Sequence, residues 1–338
     1  MNERYSRQEL FSPIGIDGQA KIRTKSVLIV GAGALGAGSA EALTRAGVKR
    51  IVLVDRDYVD WTNLQRQQLY SEEDAKRQLP KVVAAKNRLN QINSEVEIQA
   101  HVMDMGIEEA EELISGIDLI MDATDNFETR LLINDLAQKY EIPWIYGACV
   151  GSYGISYTIL PGDGPCLNCL LDKIPANGQT CDTAGIISPA VQMVTAYQTA
   201  EALKILVEDY ASIRKKIVTL DTWTNQHVQL GMGKAKKIDC PSCGANPTYP
   251  YLEKGAALKT AVLCGRDTVQ IRPAHTIEID MGEMEKRLLP HGEVRCNPYL
   301  LELQSGSHRL VLFKDGRALV HGTKNTAEAK SLYHRFIG

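Results

Sequence analysis

Residues 27–67 read VLIVGAGALGAGSAEALTRAGVKRIVLVDRDYVDWTNLQRQ, and this run decides the fold. An apolar, β-branched run of strand length, Val27 to Val30, empties into Gly31, Gly33 and Gly36, and Ala34 to Ala46 then reads as a helix. Strand, tight turn and helix in that order set backbone N–H groups and the positive end of a helix dipole against a phosphate chain. A second strand, Arg50 to Val54, delivers Asp55 about where a dinucleotide-binding unit places the acid that accepts from ribose hydroxyls. Asn63, Arg66 and Gln67 follow directly, where they could face a triphosphate rather than a nicotinamide.

Working outward, strands and helices alternate. Pro80 to Ile92 is helical in spacing, Val96 to Ala100 a strand, Ile107 to Ile114 a helix, Asp118 to Ala123 a buried strand ending in TDN, Phe127 to Tyr140 a helix and Trp144 to Cys149 a strand. That alternation means a parallel sheet. From Gly151 the pattern turns antiparallel, with a turn over Pro161 to Gly164. One long helix lies within Ile187 to Val207, its stripe carrying Val191, Val194, Ala202, Leu203 and Leu206, and strands follow at Ile217 to Leu220 and His227 to Leu230. The first 25 residues hold one or two short helices. NPTYPY at 246–251 marks a boundary, and beyond it strands at 260–263, 268–271, 300–304, 309–313 and 318–321 alternate with helices at 280–289 and 326–336, KDGR at 314–317 forming a hairpin turn. The expected fold is α/β: a Rossmann-like mixed sheet with helices on both faces over residues 1–246, with an N-terminal helical arm, and a small C-terminal α+β domain over 252–338.

Composition narrows the function. A chain of 338 residues with 44% hydrophobic content can bury a sizeable core, while a net charge of −3 gives no basic surface for nucleic acid. No apolar run approaches the roughly 18 residues that span a bilayer, and MNERYSRQEL has no apolar signal core, so the chain reads as cytoplasmic with no membrane partner. Four of eight cysteines form two C-x-x-C pairs, Cys166/Cys169 and Cys240/Cys243. Four thiolates suit a structural zinc ion that closes a long loop, whereas a redox-active pair would explain one motif but not two.

A lone G-x-G-x-x-G supports an NAD-dependent dehydrogenase as readily as anything else. Here it is joined by DRDYVDWTNLQRQ (55–67), Lys81 in QLPK, TDNFETR (124–130) and RYSRQ near the N-terminus. Over roughly residues 4 to 244 this combination resembles the ThiF/MoeB family, bacterial relatives of ubiquitin-activating enzymes, with Ala34 and Thr62 standing where the family usually has glycine and serine. The resemblance implies ATP- and Mg²⁺-dependent adenylylation of the C-terminal glycine carboxylate of a ubiquitin-like sulfur carrier ending in Gly-Gly, of ThiS or MoaD type, for thiamin thiazole or molybdopterin synthesis. It implies Gly31, Gly33, Gly36 and Asp55 around the nucleotide, Asn63, Arg66 and Lys81 on its phosphates, and Asp125 with Asn126 at the magnesium ion. By similarity to the family, Arg7 reaches the partner subunit's nucleotide in a homodimer. Cys181 in TCDTAG lies where a loop thiolate could attack the adenylate, or is simply an exposed cysteine. A cysteine desulfurase is the implied sulfur donor. Activation of a different carboxylate, such as one on a modified tRNA, is the alternative within the family; the charge balance disfavours it. Cys149, Cys264 and Cys296 read as packing residues, and no rhodanese-like cysteine loop surrounds the last two.

Overall fold

The computed structural model describes residues 3–171, 184–253, 259–262 (backbone only), 267–273 and 278–337. The chain divides into two compact units, residues 1–253 and 254–338.

The first unit opens with two short helices, α1 (Ser6–Glu9) and α2 (Gly15–Ile22), and then runs β1 (Ser26–Val30), α3 (Ala34–Ala46), β2 (Arg50–Asp55), α4 (Glu72–Lys76), α5 (Lys81–Ile92), β3 (Glu97–Val102), α6 (Ile107–Leu113), β4 (Leu119–Asp122), α7 (Phe127–Lys139) and β5 (Trp144–Val150). It continues with β6 (Tyr153–Ile159), α8 (Leu167–Leu170), α9 (Ser188–Leu206), β7 (Lys216–Asp221) and β8 (Gln226–Gly231). Its eight strands lie in the order β3-β2-β1-β4-β5-β6-β7-β8, parallel through β5 and antiparallel from β6 onward. The run β1-β2-β3 goes one way and β4-β5 the other, so the topological switch point lies between β1 and β4, outside whose carboxyl ends ligands bind in open α/β sheets.

The parallel strands are apolar because both faces are covered: β1 and β4 are buried at every position. By contrast β8 is exposed along its whole length. Of the expected stripe of α9, Val191, Val194, Ala202 and Leu206 are buried and Leu203 only half-buried, and Gln198, Glu201 and Ile205 are buried as well. α4 was not anticipated; Ser71 and Asp74 build a capping box that starts it.

β4 pairs with β5 only at Ile120–Trp144 and Met121–Ile145, after which the two strands separate toward their carboxyl ends. Side chains bridge the opening. Gln198 Nε2 donates to Asp122 O at 2.8 Å and to Ile145 O at 3.4 Å, while Arg130 Nη2 donates to Thr124 O at 2.6 Å and to Gly147 O at 3.3 Å.

The second unit is a six-stranded antiparallel sheet in the order β11-β12-β13-β14-β10-β9: β9 (Lys259–Val262), β10 (Thr268–Arg272), β11 (Glu293–Cys296), β12 (Leu300–Ser305), β13 (His308–Phe313) and β14 (Ala318–His321). Helices α10 (Met281–Leu288) and α11 (Thr326–Phe336) pack on Val269, Ile271, Leu301, Leu310 and Val320. β11 escaped the sequence reading because it is an edge strand with Glu293 and Arg295 exposed, which leaves too few buried apolar positions to mark it.

Candidate active site

At the carboxyl end of β1 the chain turns through Gly31, whose φ of +96° suits glycine, and a Cβ there would lie 2.5 Å from Ala123 O. A Cβ on Gly36 would collide with Gly31 O, so the turn and the first turn of α3 close tightly on each other. Gly33 caps α3, and Ala34 is its first helical residue, where an ordinary helical backbone accepts the methyl. The loop peptide is held from both sides: Ala32 N donates to Asp55 Oδ2 at 2.6 Å, and Ala32 O accepts from the Tyr70 hydroxyl at 2.5 Å. Tyr70 had not been singled out; its phenol is pushed well above the usual range by burial and by the Asp55 charge. Asp55 Oδ1 accepts from Asp57 N at 2.7 Å, and burial raises the Asp55 carboxyl while Lys81 opposes the shift.

Beyond β2 the expected phosphate ligands divide. Asn63 is buried in a capping box: its Oδ1 accepts from Asp60 N at 3.1 Å, and its Nδ2 lies 3.5 Å from Thr62 Oγ1. Thr62 keeps the hydroxyl and donates it to Asp60 Oδ1 at 2.7 Å. Arg66 is half-exposed, and its Nη1 donates to the backbone carbonyl of Thr62 at 2.8 Å. Lys81 opens α5, buried, with Nζ 3.0 Å from Asp57 Oδ2. Arg56 pairs with Asp104 at 3.4 Å. Lys81 and Arg56 are thus already engaged with carboxylates, while the Arg66 bond described is to a neutral carbonyl.

At the end of β4, Asp125 is exposed and its charge acts on Arg56 and Arg130. Asn126 serves as the N-cap of α7, its Oδ1 accepting from Thr129 N at 2.8 Å. Beneath them lies a pair that sequence reasoning missed. Asp122 is 0% exposed, its Oδ2 accepts from Arg130 Nε at 3.1 Å, and its Oδ1 accepts from the N–H (2.9 Å) and hydroxyl (2.7 Å) of Thr124. Arg130 also stacks over Tyr146 and Phe127, with ring centroids at 5.2 and 5.3 Å. The available signal was an acid closing the buried run DLIMDA eight residues before an arginine.

Arg7 is exposed and stands apart from this group. Gln8 Nε2 and Gln19 Nε2 both donate to Ala46 O, at 3.1 and 3.0 Å, which docks α1 and α2 at the last residue of α3. The helix is 13 residues long, so about 20 Å separates that end from Gly33. The structure does not bring Arg7 to the glycine loop of its own chain.

The four motif cysteines do meet. Cys166 Sγ lies 3.9 Å from Cys169 Sγ and 3.6 Å from Cys240 Sγ, Cys169 Sγ lies 3.5 Å from Cys243 Sγ, and all four atoms are within 4.8 Å of one another. Tetrahedral Zn–S bonds of about 2.3 Å require S···S edges of about 3.8 Å, so the set fits a zinc ion. Hydrogen bonding from Cys166 holds Cys243 down, to about 5, while burial pushes Cys169 up to about 11. The knuckles are braced by Asn168 Nδ2 on Ser242 Oγ at 2.9 Å and by Leu167 N on Asn134 Oδ1 at 2.8 Å. Cys149 packs against the buried cluster of Leu35, Val191 and Val194. Cys181 and Cys264 lie outside the described residues.

Residues 5–242 match the ThiF family. The chain is 51% identical over 339 residues to the sulfur carrier protein ThiS adenylyltransferase of Bacillus subtilis (strain 168), covering the whole of both. It is 34% identical over 251 residues to the Escherichia coli (strain K12) protein of the same name, covering 73% of this chain and 97% of that one. It is also 34% identical to the adenylyltransferase and sulfurtransferase MOCS3 of Aedes aegypti, with 74% of this chain spanning 57% of that protein. Among solved structures, E. coli MccB superposes with a TM-score of 0.64 at 22% identity over 73% of each chain, a likeness of fold.

Proposed function

The chain belongs to the ThiF family, and from that premise we propose that it uses ATP to adenylate the C-terminal glycine carboxylate of a ThiS-type sulfur carrier, releasing pyrophosphate, in thiamin thiazole synthesis. One observation carries the choice of carrier: the B. subtilis ThiS adenylyltransferase is 51% identical along the full length, second unit included, whereas the MOCS3 protein of Aedes aegypti is 34% identical over 74% of the chain.

In this reaction a carboxylate oxygen attacks the α-phosphorus, and the bond to pyrophosphate breaks with its electron pair. Two anions meet and a third departs, so the site must present positive charge aimed at the phosphates. The loop from Gly31 to Gly36 offers N–H groups and the start of α3, with Asp55 beside it for a ribose hydroxyl. Arg66 is the cation whose bond to Thr62 O is most readily exchanged for a phosphate, and Lys81 supplies a fixed charge oriented by Asp57. Asp125 would hold Mg²⁺, whose chemistry is to neutralise phosphate charge. Cys166, Cys169, Cys240 and Cys243 would hold Zn²⁺ with four thiolates, a set that would serve folding rather than catalysis.

The second subunit's Arg7 completes the site. Its distance from its own loop supports this, as do the exposed apolar residues of the same arm, Leu10 (67%), Phe11 (59%) and Ile16 (62%), which a homodimer would cover. A cysteine desulfurase is the sulfur donor that the acyl-adenylate product calls for. Cys181 is the proposed acceptor of the activated acyl group, by thiolate attack that expels AMP.

The test is exchange of labelled pyrophosphate into ATP with a carrier ending in Gly-Gly. Exchange should depend on the carrier and vanish in Arg66→Ala and Asp125→Ala with zinc content intact. Absence of exchange at every magnesium concentration, or tight NAD binding without ATP binding, would overturn the reading.

A further inference from the structure

One helix touches both halves of the thiolate cluster. Asn134 and Asp135 lie on α7, each 0% exposed. Asn134 Oδ1 accepts from Leu167 N at 2.8 Å, inside the first cysteine knuckle, and Asn134 Nδ2 donates to Asp135 Oδ1 at 3.3 Å. Asp135 also accepts from the Ser242 hydroxyl, inside the second knuckle, and its Oδ2 accepts from Tyr251 N at 2.9 Å. Ser242 is 1% exposed and takes a further bond from Asn168 Nδ2 at 2.9 Å. Leu167, Asn134, Asp135, Ser242 and Asn168 thus form a closed ring through both knuckles and α7.

Asp135 is the member whose identity needs a reason. A carboxylate is costly to bury unless a cation or several hydrogen bonds compensate it. The three donors it faces among the described residues are a hydroxyl, an amide and a backbone N–H, none of them charged. What a carboxylate offers, and an amide of the same shape does not, is two acceptor oxygens and no donor. It can therefore hold three segments at once: its own helix, the second knuckle and the chain at Tyr251. Within each knuckle the C-x-x-C turn sets the cysteine spacing locally. Nothing local sets one knuckle against the other, since 74 residues separate Cys166 from Cys240 and Cys169 from Cys243, yet these sulfurs lie 3.6 and 3.5 Å apart. The link through Asp135 supplies that register.

We propose that Asp135 is a positioning residue of the metal site: it fixes the second knuckle to α7, as Asn134 fixes the first, so that four thiolates face one ion and zinc binding does not have to order them. The proposal rests on the reading of the four cysteines as a zinc site.

The experiment measures competition for zinc by a chromogenic chelator in the full, zinc-loaded chain, and thermal unfolding with and without excess chelator. Asp135→Asn replaces an acceptor oxygen with a donor and should weaken zinc binding about 10–100-fold, the usual effect of losing a group that orients metal ligands. Ser242→Ala cuts the same link from the knuckle side by removing a single oxygen, and should fall in that range too; it carries the test alone should Asp135→Asn not fold. Because both changes sever one connection, the double variant should bind zinc about as weakly as Asp135→Asn. The unfolding midpoint should fall further for the zinc-loaded variants than for their metal-free forms. A residue that only stabilises the first unit would lower both midpoints equally and leave zinc affinity unchanged; that result would overturn the proposal, as would additive losses in the double variant. Wild type that holds no zinc would sink the zinc reading and this proposal together, whereas wild type and Ser242→Ala holding zinc equally tightly would sink this one alone.

Discussion

Replacing Arg130 with Met tests whether the buried pair under the TDN loop holds up the candidate site. Arg130 is 6% exposed, and its guanidinium serves Asp122 at 3.1 Å and the carbonyls of Thr124 and Gly147. Methionine fills much of the same volume but leaves the fully buried Asp122 with only the two Thr124 donors. Removing one partner of a buried pair costs about 3–5 kcal/mol, because the remaining charge is uncompensated. For a unit of this size each kcal/mol moves the midpoint by about 2–4 °C, so a fall of about 10 °C is expected. Calorimetry of the full chain measures it, the transition belonging to the first unit being the one that ATP shifts upward. Asp122→Asn combined with Arg130→Met removes both charges and should recover a large part of the loss, giving a coupling of about 2 kcal/mol or more. If the two single costs simply add, or if Arg130→Met unfolds within about 2 °C of wild type, the pair is not a support and the reasoning fails.

Three further outcomes are expected. Tyr70→Phe removes the hydroxyl from Ala32 O and should cost about 1 kcal/mol while raising the KM for ATP several-fold with kcat little changed, as steady-state exchange kinetics would read. Glu208 is held down to about 2, from an ordinary value of 4.5, by hydrogen bonds from Lys21 and then Lys25. Because the folded value is depressed, its stabilisation is complete above 4.5 and is lost as pH falls toward 2, so the difference in unfolding midpoint between wild type and Glu208→Gln should shrink across that window and stay flat above it. Mixing inactive Arg7→Ala and Asp125→Ala subunits should restore about a quarter of the wild-type exchange rate, since half the dimers then own one intact composite site; no recovery after subunit exchange would place Arg7 outside the partner's site.

The parallel half of the sheet was legible because its signals are local: β-branched runs of strand length, glycines at a turn, and helical spacing between the strands. The thiolate cluster was legible from two short spacings, although nothing in those spacings says that residues 74 apart would meet. The illegible parts depend on the assembled fold. DWTN satisfies a capping box as well as it would satisfy a phosphate ligand, and the box is what Asn63 makes. Arg130 meets Asp122 only because a helix returns over the strand that precedes it. Tyr70 and Gln198 are polar residues whose partners lie on other elements, so no periodicity marks them. Arg7 is read correctly as a cation, but its remoteness from its own loop follows from where Gln8 and Gln19 dock, which is a tertiary fact.

Where β4 and β5 part company, the sheet behaves like a zip opened at one end, with Arg130 and Gln198 as pins across the gap. Below Met121 its rigidity comes from the backbone ladder and is nearly indifferent to sequence. Above it, β4 stays laddered to β1 and β5 to β6, and the link between β4 and β5 is made by two removable side chains. The working end of the molecule can therefore be softened or stiffened by substitutions that leave every strand in register, and amide exchange at Asp122 to Thr124 should follow the identity of residues 130 and 198 while exchange in β1 does not.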